Sequence, residues 1–322
     1  MEKNIWLDGM MGLIVGDALG NPVQFMERGL IKERAEGPVT GMEAGGAFCT
    51  PAGTWTDDSA MALATLVSIN EKKTADPEDI MKKFVEWLEK GKYTPSGYAF
   101  DIGNTCASAI ENFENGSGIL DCGIRGEYAN GNGALMRILP ACLYYYEKGT
   151  GDDEAVEGIH IISGLTHNHL RSRMCCGIYY FMVKSILDGL KLQAEPELIG
   201  LLQEGIDNGL KFYGRKTENL YELDHLKRLF YLNEFKNIPE SGIRSSGYVV
   251  HSIEAAIWSL VTTCSYRDGM LRAVNLGDDA DSVAAIAGGL AGLYYGYEGI
   301  PREWLSVIKR KDWIEGLCQI KM

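Results

Sequence analysis

Two short runs in the 322-residue sequence set carboxylates beside hydroxyls. The first is Thr56-Asp57-Asp58-Ser59, behind Gly53-Thr54-Trp55. The second is Asp278-Asp279-Ala280-Asp281-Ser282, behind Leu276-Gly277. Each opens an apolar stretch of helical spacing, from Ala60 and from Val283. A single Asp there would be an ordinary helix cap or dipole partner. Adjacent acids repel one another and only one can cap. Two such runs, each ahead of an apolar helix, point to turns that face inward, where charge needs a counter-ion. Within regular helix, neighbouring acids diverge by about 100°. At a loop-to-helix junction the backbone can aim them at one centre. Carboxylates with Thr and Ser hydroxyls, and no Cys or His, form an all-oxygen set that suits Mg²⁺, Mn²⁺ or Ca²⁺ rather than Zn²⁺. The charge of Asp57, Asp58, Asp279 and Asp281 matches two divalent ions, and an ion pair roughly 3.5–4 Å apart is a known catalytic arrangement. The plain alternative is that either run is a solvated surface patch.

Other acid-rich motifs fit poorly. The D-D-x-x-D pattern of isoprenoid synthases fails at Met61 in the first run and at Ser282 in the second. The EF-hand pattern fails because Asp279-x-Asp281 lacks the third acid, the Gly and the distant Glu. His167-x-His169 has no Cys or third His nearby to complete a zinc site.

The elements that would hold these runs read as helices. Apolar residues recur at three-four spacing in 60–69, 80–88, 177–190, 249–263 and 283–295. Alternating β-branched runs are rare, so the expected class is all-α, in a single domain over 1–322. The 39 glycines, many inside apolar helices, suggest close helix packing and glycine-rich loops at a site. The stretch 20–55 reads as a long surface loop, and 209–246 as a second irregular, charged one. Composition is that of a globular chain, 46% apolar and 23% charged. The net charge of −13 argues against a nucleic-acid binder, which needs a basic face. No run of about 18 apolar residues suggests a membrane span, and Met10–Val15 reads as part of the mature fold. The eight cysteines form no C-x-x-C pair and suggest buried, reduced thiols in a cytoplasmic protein.

Seven motifs in order resemble the ADP-ribosylglycohydrolase family, typified by the dinitrogenase-reductase-activating glycohydrolase. They are GLIVGDALGNPVQFM (12–26), TWTDDSAMALA (54–64), FDIGNT (100–105), GNGALMRILP (131–140), LTHNH (165–169), SGYVVHSIEAAIW (246–258) and LGDDADSVAAIAGGLAGLYYG (276–296). The resemblance implies a single compact orthogonal helical bundle with a binuclear Mg²⁺ or Mn²⁺ cleft. It assigns Thr56, Asp57, Asp58, Asp279, Asp281 and Ser282 as metal ligands. Asp278 stands where many relatives have Gly.

The family cleaves ADP-ribose from an acceptor, often the guanidinium of arginine, and frees ADP-ribose from an ADP-ribosylated protein or small molecule. Some relatives carry a catalytic Glu where this chain has Gln24, which cannot be a general base. The arginine-type relatives carry an Asp at the position of Asp101, which is therefore the expected catalytic carboxylate. The competing reading of Asp101 is a helix cap, and Glu27 is a minor substitute. Gly103, Asn104, Thr105, Gly131, Asn132, Gly133, His167 and Tyr248 are expected at the ligand. His160, His225 and His251 have no assigned role, and Tyr144 to Tyr146 read as packing. An O-linked or small-molecule acceptor, or an inactive ADP-ribose-binding protein, remain the alternatives.

Overall fold

Helix α1 (Ile5–Gly20) is apolar on every side, and a helix of that kind belongs at the centre of a protein. The computed structural model places it there and describes residues 4–192 and 196–319. Residues 1–3, 193–195 and 320–322 of the expected single unit lie outside the described residues. Its antiparallel partner is α14 (Ala280–Tyr295), which is also buried along almost its whole length.

Glycine sets how close these two helices come. A Cβ on Gly12 would lie 2.2 Å from the Gly288 carbonyl oxygen, and one on Gly16 would lie 2.1 Å from that of Ala284. No side chain fits there without moving a backbone. We expect Gly16→Ala to cost on the order of 3 kcal/mol, the upper range for an overpacked core. Chemical denaturation checks this, and a loss under 1 kcal/mol would show that the two helices slide apart freely.

Around this pair lie α2 (Arg28–Glu33), α3 (Asp57–Lys72), α4 (Pro77–Lys90), α5 (Asn104–Glu114), α6 (Leu139–Lys148), α7 (Asp152–Gly164), α8 (Leu170–Leu192) and α9 (Leu198–Tyr213). They are followed by the short α10 (Leu220–Asp224) and α11 (Leu232–Phe235), then α12 (Val249–Val261) and α13 (Tyr266–Val274). Two more short helices, α15 (Arg302–Leu305) and α16 (Lys311–Leu317), close the chain. Among the described residues there is no sheet, only three isolated bridges. The expected all-α class is what the chain adopts. No helix among the described residues is long and apolar enough to cross a membrane. All eight cysteines are free, and only Cys49 and Cys264 are exposed.

The two expected loops are more structured than their sequences suggest. The stretch 20–55 begins inside α1, passes through a 3₁₀ turn at Asn21–Val23 and includes α2. Its Asn21, Val23, Gln24, Ile31, Val39 and Trp55 are buried. The stretch 209–246 carries α10 and α11, and its Leu226, Leu229, Leu232 and Phe235 join the core. In both stretches single apolar residues at irregular spacing anchor short turns. Such anchors leave no periodic signal in a sequence.

Candidate active site

The crossing of α1 and α14 decides where the acids meet. Because the helices are antiparallel, Gly20 at the end of α1 packs on the backbone of Asp281 at the start of α14. Asp17, one turn before Gly20, is fully buried and reaches the start of α3. Its carboxylate accepts from the backbone N–H of Thr56 at 3.0 Å and of Ser59 at 3.0 Å, and from the Ser59 hydroxyl at 2.5 Å. Two of the four orphan donors at the start of α3, those of Thr56 and Ser59, are thus satisfied from another helix. Asp57 and Asp58, the first two residues of α3, are freed from capping. Asp279 precedes α14 and makes no cap bond either. Capping therefore explains neither run.

Asp57, Asp58, Asp279 and Ser282 face a cavity of about 340 Å³ together with Asp101, Gly103, Asn104, Thr105, Gly131, Asn132, Gly133 and His167. Thr56 and Asp281 stand just behind it: the Thr56 hydroxyl donates to Asp58 Oδ2 at 3.3 Å, and Asp281 is 1% exposed. Asn132 Nδ2 donates to Asp279 Oδ2 at 2.6 Å and ties the glycine loop to the second acidic run. A larger cavity of about 1040 Å³, lined by Arg125, His160, Arg173 and Tyr213, contains none of the motif carboxylates.

Burial is the first cause holding the Asp57, Asp58 and Asp281 carboxyls well above the usual carboxylate range. The strongest neighbouring charges are other acids: Asp101 on Asp57, Asp57 on Asp58, and Asp58 on Asp281. The chain's well-buried ion pairs lie elsewhere, such as Arg171 with Glu222. Among the described residues no Lys or Arg pairs with these acids. Asp58 Oδ1 and Asp281 Oδ1 are buried without a hydrogen-bond partner. Among the described residues no three Asp, Glu, His or Cys side chains enclose an ion as they stand. The grouped acids nevertheless fit hard divalent cations: the donors are all oxygen, two of them are orphaned, and no protein cation competes.

Asp101 has φ +58°, and the cap position of α5 belongs to Gly103, so Asp101 is not the cap of that helix. Burial raises its carboxyl to about 6. The Gln24 carboxamide partly offsets this, although its nitrogen stays outside full hydrogen-bond geometry. Glu27 is exposed at the start of α2 and does not reach the cavity.

His167 is buried and held neutral, its pKa pushed down to about 3 first by burial and then by Arg137. Arg137 Nη2 donates to Thr166 Oγ1 at 2.8 Å, and that hydroxyl lies 3.0 Å from His167 Nδ1. The Thr166 hydroxyl can donate to Nδ1, and the ring proton then sits on Nε2, which faces the glycine loop. A Cβ on Gly133 would fall 2.7 Å from the ring, which is why glycine is needed there. Gly131 bridges Tyr248 through the backbone. The Tyr248 ring does not line the cavity as expected. It is held by Arg171, whose Nη1 donates to its hydroxyl at 3.1 Å.

The structure also shows why Asp278 differs from its neighbours in the second run. It adopts φ +55°, a region Asp tolerates and Gly prefers. Its carbonyl accepts from Phe25 N–H at 2.6 Å, and its own N–H donates to the Met26 carbonyl at 2.8 Å. These bonds join the Gln24 loop to the second acidic run.

A model of the ADP-ribosylglycohydrolase family matches residues 4–321. The chain belongs to the ADP-ribosylglycohydrolase family. It is 32% identical over 314 residues to the ADP-ribosylarginine hydrolase Tri1 of Pseudomonas putida, covering 96% of this chain and 76% of that protein. It is 31% identical over 306 residues to the ADP-ribosyl-[dinitrogen reductase] glycohydrolase of Rhodospirillum rubrum, covering 95% and 90%. A solved structure described as an ADP-ribosylglycohydrolase-related protein complex superposes with a TM-score of 0.77 at 27% identity, over 99% of this chain and 97% of that one. Within this ADP-ribosylglycohydrolase fold, two residues at the site were not singled out from sequence. Asp17 sits in the Gly16-Asp17 step of the first motif, and Phe25 follows Gln24.

Proposed function

We propose that the chain is a metal-dependent hydrolase that removes ADP-ribose from the guanidinium nitrogen of arginine in a modified protein. The observation that carries this reading is that, among the described residues, Asp101 is the one carboxylate lining the cavity outside the expected ligand set. The relatives named as arginine hydrolases support the same acceptor.

Thr56, Asp57, Asp58, Asp279, Asp281 and Ser282 would hold two Mg²⁺ or Mn²⁺ ions. When bound, such ions grip vicinal ribose hydroxyls and lower the pKa of a water. The remaining work falls to the chain. The backbone N–H groups of Gly131 and Gly133 and the His167 Nε2–H offer donors to the diphosphate and its ribose, while the Asn132 N–H is held by the Gly247 carbonyl. Gly103, Asn104 and Thr105 close the adjacent wall. Asp101, when ionised, guides a water to the anomeric carbon and stabilises the positive charge that develops there. Gln24 accepts no proton, so this task does not pass to it.

Asp101 works only as the anion. Its burial places the acidic limb of kcat/KM no higher than about pH 6, with activity lost as pH falls through it. Bound cations would move that limb lower. Asp101→Asn should reduce kcat on arginine-linked substrate by roughly 10²–10⁴-fold, with ADP-ribose affinity little changed. A variant within threefold of wild type would refute the assignment.

A further inference from the structure

Four aromatic rings form a connected row that starts at Phe25 in the cavity wall and passes through Phe48 to Phe100, the residue before Asp101, and to Tyr98. Phe25 and Phe48 meet edge to face with centroids 6.3 Å apart, Phe48 and Phe100 lie 5.2 Å apart, and Phe100 and Tyr98 lie 6.1 Å apart. Phe25 is 63% exposed and Tyr98 is 60% exposed. Phe25 also lines the cavity, where Asp101 stands as another wall.

Keeping Phe25 in this position is costly in two ways. A large ring left in water forgoes its burial. Its φ of +64° is left-handed, a genuine outlier for a bulky residue. The backbone bond to the Asp278 carbonyl holds it there. Strain of this kind persists where the surrounding structure enforces it, and it clusters at ligand sites. Elsewhere the chain lays its own cations over its rings, as with Arg171 over Tyr248 and Arg310 over Trp313. Among the described residues none lies over Phe25, Phe48, Tyr98 or Phe100. Open ring faces beside a carboxylate complement a planar cation, which stacks on the ring and pairs with the acid.

We infer that the Phe25–Phe48–Phe100–Tyr98 wall is the acceptor subsite, which receives the guanidinium end of a substrate arginine and presents it to Asp101. This rests on the arginine-acceptor reading above and assigns the residues that would select it. The substrate class follows: arginines on exposed, projecting segments, whose neighbouring residues would rest on Tyr98.

Agmatine, a free guanidinium, is the probe. It would be titrated into metal-loaded, ADP-ribose-saturated protein and followed by NMR. Wild type and Phe25→Tyr should bind it alike. Phe25→Leu and Tyr98→Ala should bind it roughly three- to tenfold more weakly, and Tyr98→Ala, which lies outside the cavity lining, should keep its ADP-ribose affinity. Tyr98 carries no backbone strain, so its variant decides the matter if Phe25→Leu folds poorly. No agmatine binding to wild type, or equal binding by all four proteins, would overturn the subsite. Agmatine binding by the wall without release of ADP-ribose from arginine would instead overturn the proposed function and leave the wall as a guanidinium-binding site only.

Discussion

Asp57→Ala and Asp279→Ala should each abolish turnover, lowering kcat/KM by roughly a thousandfold or more. That corresponds to the several kcal/mol that a bound cation contributes at a developing charge. The prediction follows from how the acids are held. Asp57 and Asp279 face the cavity from two helix starts brought together by the antiparallel crossing of α1 and α14. No cation of the chain pairs with them among the described residues. Stability separates loss of the ion site from loss of the fold. In the metal-free protein, burial and mutual repulsion hold the folded-state pKa of Asp57 above its ordinary value of 3.8. The native state then binds protons that the unfolded chain has released, so stability declines as pH rises above about 4. Removing one of these acids relieves that cost. Metal-free Asp57→Ala should therefore melt above metal-free wild type at pH 8, whereas Mg²⁺ or Mn²⁺ should raise the Tm of wild type alone. Equal metal shifts in both proteins would show that Asp57 is not a ligand.

The second large effect is expected at Asp17, which touches no cavity wall. It holds Thr56 and Ser59 from an adjacent helix and so fixes the direction in which Asp57 and Asp58 leave α3. Asp17→Ala strands two buried backbone N–H groups, at about 1–3 kcal/mol each. It should also weaken metal binding by roughly 10–100-fold, the usual cost of removing the support behind a metal ligand. Calorimetric metal titration is the deciding readout, because a merely structural role would lower Tm and leave the metal Kd of the folded fraction unchanged. Asp17→Asn keeps one acceptor oxygen and should fall between the two.

Asp17 illustrates what the sequence could not reveal. The two acidic runs were legible because repeated like charges ahead of an apolar helix conflict with simple capping. Their partner was not, because Asp17 lies inside α1 and caps α3 only through a tertiary contact. The helices were legible from their three-four spacing, and the glycines of α1 and α14 from their abundance, though not their pairing. Phe25 gave no signal either, since a left-handed backbone at a non-glycine residue is imposed by its bonds to the Asp278 segment. Tyr248 is expected at the ligand from its motif, and the structure ties its hydroxyl to Arg171 and its backbone to Gly131, links that no spacing in the sequence announces. The buried turns in 20–55 and 209–246 look like loops in the sequence because isolated anchors such as Trp55 and Phe235 have no period.

The most direct measurement is the release of free ADP-ribose from an arginine-ADP-ribosylated protein in Mg²⁺, in Mn²⁺ and in EDTA, beside a serine-linked substrate. Release is expected from arginine with either metal, with none in EDTA and none from serine. Release that survives EDTA would contradict the role given to the six oxygen ligands, and release from serine would contradict the role of Asp101 at a guanidinium acceptor.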